Sequence, residues 1–249
     1  MNFQKRKQAI LHQLATAGEA DIKELASALR VSNITIRRDL NQLAADGLLR
    51  RTHGGAMKVA PPNPPYPFAN KAAVNVKAKE AIARLAAAAI QDGDIVFLDC
   101  GSTVFHLCPF IRNKYIRVIT NSLPIVHALE DSRVSLNLIG GEFDPERQAV
   151  HGKMAEYHIA KYRANKAFLG VDGISPKGLF ANSEKEATLT MALIGQSAAN
   201  WLLCDSSKIG RETYWQFASL RLIGTVITDA PVSMCTFLEK EGITVVMPS

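Results

Sequence analysis

The chain has 249 residues, enough for one large domain or two ordinary ones, and 47% of them are apolar, which suits a globular protein with a substantial core. No apolar run approaches the roughly 20 residues of a membrane span, and the first residues lack a secretory apolar core, so a cytoplasmic protein is expected. The net charge of +6 is concentrated: residues 1–60 hold ten Lys and Arg against five acids, and the remainder hold nineteen against eighteen. A basic segment of this kind favours a polyanionic partner over its alternative, a solvated lysine face.

The cysteines are scattered along the chain, with no C-x-x-C pair and no histidine at zinc-finger spacing. They are Cys100, Cys108, Cys204 and Cys235. Because Cys100 and Cys204 lie in apolar runs typical of strands, we expect buried free thiols, no metal site and no cofactor.

Three short helices and a hairpin are predicted in the first sixty residues. The first helix contains Ile10 and Leu14 and ends at Gly18, the second begins at the N-cap Asp21, and the third begins at the N-cap Ser32. Residues 48–51 and 56–59 can pair across 52–55 as a hairpin after Gly47. This order, with a very short turn between the second and third helices, predicts a winged helix-turn-helix.

The composition changes at residues 61–67, where five of seven residues are proline. Prolines cannot donate backbone hydrogen bonds and prefer an extended conformation, so a stiff linker is expected. We therefore predict a DNA-binding domain at 1–59, a linker at 60–74 and a second domain at 75–249.

The third helix presents polar side chains on the face opposite Ile36. At 100° per residue Arg38 points away from the core, and arginine, asparagine and glutamine are the residues that grip base edges in the major groove. The predicted DNA contacts on and before this helix are Ser32, Asn33, Ile34, Thr35, Arg37, Arg38 and Asn41. Those predicted in the hairpin are Arg50, Arg51, His53 and Gly54.

Two alternatives stay open on this helix. Ile34 is apolar on a face that should be wet, and it either contacts a thymine methyl group or packs against the hairpin. Arg37 and Arg38 either contact DNA or form a solvated face, with one of them pairing with Asp39.

The motifs of this region resemble the DeoR family of transcription regulators. The matching runs are Glu24-Leu25-Ala26, Val31-Ser32, Thr35-Ile36-Arg37-Arg38-Asp39-Leu40, Leu43, Gly47-Leu48-Leu49-Arg50-Arg51 and His53-Gly54-Gly55-Ala56. The resemblance covers the whole first domain without a gap and implies an operator-binding protein.

After the linker, helical and strand-like segments alternate, which predicts a mainly parallel, Rossmann-like α/β sheet with helices on both faces. Strands are predicted at 95–99, 117–120, 134–140, 167–171, 201–205, 225–228 and 243–247, and helices at 77–91, 122–129, 183–200 and 232–241. Small and polar residues cluster where these strands end, as in Asp99-Cys100-Gly101-Ser102-Thr103 and Asp205-Ser206-Ser207-Lys208. Because ligands of open α/β sheets bind beyond the carboxyl ends of the strands, these residues predict a ligand site with a phosphate cradle.

Residues 75–249 also resemble the effector domain of the DeoR family. The resemblance implies a fold similar to ribose-5-phosphate isomerase and a sugar-phosphate effector. Carried over position by position, it places Asp99, Gly101, Ser102, Thr103, Asn121, Gly141, Asp172, Glu186 and Lys208 in the site. Ser102 stands where threonine is commoner in the family, which keeps the hydroxyl.

The main alternative is a sugar-phosphate isomerase with a DNA-binding appendage. The isomerases of similar fold carry Asp-Gly-Ala-Asp-Glu and a Lys-Gly-Gly-Gly loop, whereas this chain has Asp172-Gly173-Ile174-Ser175 and no such loop. We therefore expect binding without turnover, in a repressor of sugar catabolism whose partners are operator DNA and a phosphorylated sugar. Because operators are commonly symmetric, a homodimer or homotetramer is expected.

Overall fold

The structure is a computed structural model that describes residues 3–45, 48–52, 54–58 and 67–248. Gly47, His53 and most of the proline-rich linker therefore lie outside the described residues, and only the backbone of Arg50 is described. The chain divides into two compact units, residues 1–64 and 65–249.

The first unit contains three helices and a three-stranded antiparallel sheet within the described residues. Its elements are α1 (Phe3–Ala17), β1 (Glu19–Asp21), α2 (Ile22–Leu29), α3 (Asn33–Ala45), β2 (Leu49–Arg51) and β3 (Gly55–Lys58). The sheet has the order β1-β3-β2. The predicted winged helix-turn-helix is confirmed, with β1 as a third strand that the sequence did not predict.

Local hydrogen bonds determine where these helices begin and end. The Asp21 carboxylate accepts from two amides of the first turn of α2, at 2.6 and 3.4 Å. Arg30 adopts a left-handed conformation (φ 53°) that ends α2, and the Ser32 hydroxyl accepts from the Thr35 amide at 3.2 Å. The turn between α2 and α3 is thus built from short-range bonds, as the predicted caps required.

A close approach of β1 to β3 explains one of the two hairpin glycines. A Cβ atom at Gly55 would lie 2.0 Å from the carbonyl oxygen of Ala20, so only glycine fits there. The core of this unit is aliphatic and includes Ile10, Leu14, Leu25, Ile36, Leu40 and Leu43.

The second unit is a three-layer α/β structure. Its helices are α4 (Pro67–Ala73), α5 (Val76–Ala88), α6 (Ser102–Phe105), α7 (Cys108–Ile111), α8 (Leu123–Leu129), α9 (Lys153–Ile159), α10 (Glu184–Gly195) and α11 (Val232–Lys240), with 3-10 turns at Ser206–Lys208 and Leu220–Leu222. Its strands are β4 (Ile95–Leu98), β5 (Arg117–Thr120), β6 (Ser135–Leu138), β7 (Glu142–Asp144), β8 (Ala149–His151), β9 (Ala164–Leu169), β10 (Gly173–Ser175), β11 (Gly178–Ala181), β12 (Ser197–Leu203), β13 (Trp215–Ala218), β14 (Thr225–Ile227) and β15 (Thr244–Val246).

Seven of these strands form one parallel sheet in the order β15-β14-β12-β9-β4-β5-β6. Each of the seven corresponds to a strand predicted from the sequence. The order reverses around β4, whose neighbours β9 and β5 lead away in opposite directions. Such a switch point opens a crevice beyond the carboxyl ends of the strands.

Alternate residues along the strands face opposite sides of the sheet. Phe97 of β4 joins a core with α9, α10 and α11, whereas Val96 and Leu98 join a second core with α5, α7 and α8. Both faces of the sheet are therefore covered by helices, which confirms the predicted Rossmann-like arrangement.

Two predicted boundaries differ from the structure. The helix predicted at 183–200 ends at Gly195, because Ser197 onward forms β12 and pairs with β9. Residues 67–73, predicted as linker, form the helix α4 and belong to the second unit. In the first place tertiary packing outweighs the helical pattern, because β12 is a central strand of the sheet. In the second place the run of prolines predicts an extended linker, yet the residues that follow it form a helix of the second unit.

Short antiparallel strands add to the predicted parallel sheet. β7 pairs with β8, and β10, β11 and β13 form a separate three-stranded sheet. The sequence analysis did not predict these five strands. In the described part of the chain, no helix combines the length and apolar character needed to cross a membrane.

Candidate functional site

The outer face of α3 is open to solvent in the first unit. Ile36, Leu40 and Leu43 are buried in its core, whereas Arg37, Arg38 and Asn41 are exposed, as the helical wheel predicts. Exposed arginine and amide side chains on one helix face match what readout of base edges requires.

The structure decides the alternatives left open on this helix. Ile34 is 78% exposed, so it does not pack against the hairpin. Asp39 is buried and pairs with Arg6 of α1, through Nε–Oδ2 at 2.6 Å and Nη2–Oδ1 at 3.0 Å. The suggestion that Arg37 or Arg38 pairs with Asp39 is therefore wrong, and both arginines remain on the open face.

Several predicted DNA contacts already take part in local bonds. The Arg51 guanidinium donates to Asn41 Oδ1 at 3.0 Å and to the carbonyl oxygen of Gly55, so it ties the sheet to α3. Ser32 caps α3 and also lies 3.0 Å from the Thr35 hydroxyl. Gly54 and Asn33 are exposed, while His53 and the Arg50 side chain lie outside what is described.

A cavity of about 320 Å³ opens at the carboxyl ends of the sheet strands in the second unit. Seven of the nine predicted effector residues line it: Asp99, Gly101, Ser102, Thr103, Asp172, Glu186 and Lys208. Further lining residues that carry charge or hydrogen-bonding groups are Asn70, Lys71, Asn75, Lys79, Arg147, Thr190, Asp205 and Ser207. The predicted convergence of polar strand ends therefore forms a real cavity.

One end of this cavity is cationic, with Lys71, Lys79 and Lys208 in its wall. Burial lowers the pKa of Lys79, and the charges of Lys208 and Lys71 lower it further against the attraction of Asp205. Among the described residues neither Lys79 nor Lys208 forms a salt bridge with a carboxylate, whereas Lys71 pairs with Asp172 at 2.8 Å. Cations without a carboxylate partner in a partly buried wall suit an anionic ligand.

Asp99 lies at the floor of the cavity and is 5% exposed. Its carboxylate accepts from the amides of Cys100 and Gly170 at 2.8 and 3.2 Å and from the Thr190 hydroxyl at 3.4 Å. Burial raises the pKa of Asp99, and these bonds oppose the shift. The carboxylate thus joins the ends of β4 and β9 to α10, which gives it an architectural role beside any contact with a ligand.

The glycine after β4 is needed for the same junction. A Cβ atom at Gly101 would lie 3.1 Å from the Cα atom of Gly170, where the two strand ends come together. This closeness lets Ser102 and Thr103 reach the cavity from the start of α6. The predicted glycine for close approach is therefore explained first by backbone packing.

Asp172 and Glu186 form an acidic side of the cavity. Burial raises the pKa of Asp172, but the Lys71 ammonium and the Asn182 amide outweigh it and leave that pKa below its ordinary value. Burial raises the pKa of Glu186 to about 7, although Arg147 pairs with it at 3.0 Å. Carboxyl groups of this kind can accept or donate hydrogen bonds to ligand hydroxyls.

Glu186 should make the stability of the second unit depend on pH. Its folded pKa of about 7 exceeds its ordinary value of 4.5, so the stabilisation is complete below about pH 4.5 and is lost as the pH rises through 7. Between about pH 5 and pH 8, the free energy of unfolding of Glu186→Gln should rise by on the order of 2 kcal/mol relative to that of wild type. Urea unfolding at both pH values measures this difference. If wild type and variant differ by the same free energy of unfolding at both pH values, the assigned pKa of Glu186 is contradicted.

Two predicted effector residues do not line the cavity. Asn121 is buried behind Cys100 and donates from Nδ2 to the carbonyl oxygen of Val150 at 3.1 Å. Gly141, at φ 156°, lines a separate groove beside Met154 and Tyr157. Their positions at strand ends were predicted correctly, but the Asn121 side chain turns to Val150 and Gly141 follows β6 at the edge of the sheet.

The sequence analysis did not predict Lys71 or Lys79, and it held Arg147 only as a substitute for Lys208 in the site. The two lysines come from α4 and α5, which precede the sheet in sequence, and Arg147 lies in the turn between β7 and β8. None follows a strand of the parallel sheet, so the strand-end rule could not find them. The signal available was Lys79 itself, a lysine on the inward-facing side of an alanine-rich helix.

A winged helix with an open arginine-bearing helix, beside a separate α/β unit with a charged cavity, defines a two-domain, ligand-responsive DNA-binding regulator. The family described as "DeoR-like helix-turn-helix domain" matches residues 6–60, and that described as "DeoR C terminal sensor domain" matches residues 74–230. The chain belongs to the DeoR family of transcription regulators.

Curated relatives match over nearly the whole chain. The "Lactose phosphotransferase system repressor" of Lactococcus lactis subsp. lactis is 36% identical, over 94% of this chain and 93% of its own. The "L-fucose operon activator" of Haemophilus influenzae is 31% identical, over 99% of this chain and 100% of its own. These relatives are named as regulators, so the protein is a regulator and the isomerase alternative is not supported.

The likeness to solved isomerase structures is partial. Ribose 5-phosphate isomerase from Plasmodium falciparum is 17% identical with a TM-score of 0.39, over 52% of this chain and 51% of that one. A likeness of this size says nothing about activity. The cysteines give no sign of redox chemistry either, since all four are free thiols and three of them are buried.

Proposed function

We propose that the protein represses a sugar-utilisation operon in the cytoplasm and that a phosphorylated sugar in the cavity of the second unit controls it. The observation that carries the proposal is the pair Lys79 and Lys208, two cavity cations without a carboxylate partner among the described residues. A phosphate can accept hydrogen bonds from both ammonium groups, and the acidic and hydroxyl groups nearby suit the hydroxyls of a sugar. The name of the lactose repressor at 36% identity supports repression of a sugar operon.

The roles in the effector site follow from charge. Lys79 and Lys208, with Lys71, bind the phosphate, since ammonium groups act as point charges that satisfy phosphate oxygens from several directions. The sugar hydroxyls contact Asp172, Glu186, Ser102 and Thr103, with Gly101 and Asp99 shaping the floor. Asn121 and Gly141 are left out of these contacts because they do not line the cavity.

The roles on DNA follow from the exposed face of α3. Arg37, Arg38 and Asn41 read base edges in the major groove, and Ile34 contacts a thymine methyl group. Backbone phosphates are contacted by residues at the start of α3 and in the hairpin: Ser32, Asn33, Thr35, Arg50, Arg51, His53 and Gly54. These contacts position the helix, whereas the base contacts specify the operator.

A binding screen followed by a DNA assay tests the proposed control. Thermal shift and calorimetry with a panel of phosphorylated sugars identify a ligand, and the matching unphosphorylated sugars serve as controls. The ligand should lower the affinity for the protein's own upstream operator in a gel-shift assay. A ligand that raises this affinity would contradict release, and tight binding of an unphosphorylated sugar alone would contradict the phosphate assignment.

When the two units are expressed separately, each should keep one of the two binding activities. Residues 1–64 should bind DNA weakly and with a steep salt dependence, because one head makes few phosphate contacts. Residues 65–249 should bind the sugar phosphate and no DNA. Fluorescence anisotropy with labelled operator at two salt concentrations measures both fragments. Operator binding by residues 65–249 would contradict the assignment of DNA binding to residues 1–64.

We further propose that the protein acts as a homodimer or homotetramer. Two recognition helices are needed to read the two half-sites of a symmetric operator. Sedimentation velocity of the full chain tests this, and a monomer at all concentrations, also when bound to operator, would contradict it.

A further inference from the structure

The helix α4 (Pro67–Ala73) lies outside both regions matched by the DeoR family, which end at residue 60 and begin again at residue 74. It is also the first described helix after the proline-rich segment. Phe68, Asn70 and Lys71 of this helix nevertheless line the cavity of the second unit. Whatever occupies that cavity therefore touches the element from which the chain runs towards the DNA-binding unit.

The helix α4 is held to the rest of the unit by few contacts, and most of them involve cavity groups. The Lys71 ammonium pairs with Asp172 at 2.8 Å, and the Lys79 ammonium donates to the carbonyl oxygen of Lys71. The Phe68 amide donates to the Glu146 carbonyl oxygen at 3.4 Å, next to Arg147 in the cavity wall. Two further contacts are that of His106 Nε2 with the Ala72 carbonyl oxygen at 3.3 Å and the edge-on packing of the Phe68 and Phe105 rings at 5.5 Å.

The charges at this contact act in both directions. Lys71 pairs with Asp172 and so favours docking. The ammonium groups of Lys71 and Lys208 both repel that of Lys79, which the Asp205 carboxylate attracts. An anion placed among the three ammonium groups attracts all of them at once. It would join α4 to the body of the unit through one shared ligand.

We infer that an anion in the cavity tightens the docking of α4 onto the second unit, so that α4 carries the state of the site to the linker. The inference rests on the proposed anion site of the cavity. Coupling of this kind is reciprocal: the factor by which the anion strengthens docking is the factor by which docking strengthens anion binding. A docked α4 fixes the point at which the linker leaves the unit.

Hydrogen exchange in the full-length protein tests the inference, with inorganic phosphate as the probe and sodium chloride of equal ionic strength as its control. Amides of residues 68–73 should exchange about tenfold more slowly in phosphate, since docking lowers local opening. The helix α11 (Val232–Lys240), which does not line the cavity, should be unchanged. Calorimetry on the same samples records whether phosphate binds.

Two variants and one control make the test specific. Lys71→Met should bind phosphate more weakly, through Lys79 and Lys208, and lose the protection of 68–73. Phe68→Ala leaves every charge in place and should weaken phosphate binding several-fold, because it loosens α4. Lys153→Met, whose side chain is 90% exposed outside the cavity, should behave as wild type.

The outcomes separate the inference from the function on which it rests. Phosphate binding with unchanged or faster exchange at 68–73 overturns the inference and leaves the proposed anion site standing. Equal protection in Lys71→Met and wild type also overturns it. If neither phosphate nor any phosphorylated sugar binds, the anion site itself fails and the inference fails with it.

Discussion

Arg38→Ala is expected to abolish recognition of the operator while leaving the fold intact. The side chain is exposed on the outer face of α3, and no core residue rests on it. Loss of a bidentate base contact should cost about 1–3 kcal/mol for each copy of the protein on the operator. Preference at one base pair should relax, while non-specific binding falls only slightly.

The conservative variant Arg38→Lys separates charge from geometry. It keeps the positive charge and loses the planar fork, so it should restore non-specific binding without restoring sequence preference. Gel-shift titrations of specific and scrambled operators at one salt concentration measure the specific and the non-specific affinity. Wild-type specificity in Arg38→Ala would remove this residue from base readout, and Arg37 and Asn41 would then carry it.

Lys208→Ala should give a repressor that binds its operator normally and no longer responds to the effector. Lys208 lines the cavity without a salt bridge to any described carboxylate, so an anionic ligand is its natural partner. Losing a charged hydrogen bond to phosphate should cost about 1.5–3 kcal/mol, or roughly ten- to a hundredfold in affinity. A ligand that cannot bind one state preferentially cannot shift the equilibrium.

Lys240→Ala is the matched control, because it removes an exposed lysine of the same unit at the end of α11. It should keep both operator binding and the effector response. Calorimetry with the identified sugar phosphate, followed by operator titration with and without it, measures the two properties. Wild-type affinity in Lys208→Ala would take Lys208 out of the site and leave Lys79 and Lys71 as the phosphate ligands.

Local patterns predicted most of the architecture. The caps at Asp21 and Ser32, the stripe of Ile36, Leu40 and Leu43, and seven apolar strands each depend on residues close together in sequence. Short-range hydrogen bonds and the periods of helix and strand set these features, so they can be read without tertiary structure. The one long misjudged helix, at 183–200, failed where a central strand began.

The sequence predicted the exposed face of α3 more fully than it predicted the lining of the cavity. A helical wheel needs only one buried residue to orient α3, and it placed Arg38 and Asn41 correctly on the open face. It could not place Asp39, whose partner Arg6 lies 33 positions away in α1. A charged side chain at the edge of the buried face of a helix can point towards the core or towards solvent. Only the packing of a second helix decides between the two.

The sequence by itself determined the two-domain plan, the DeoR family, the exposed face of α3 and the strand ends that form one side of the cavity. Only the tertiary structure decided that α4 belongs to the second unit and that Lys71, Lys79 and Arg147 complete the cavity wall. It also showed that Asn121 and Gly141 lie elsewhere. The physical reason is that hydrogen bonds and side-chain periodicity act over a few residues, whereas a cavity is assembled by packing between segments far apart in the chain.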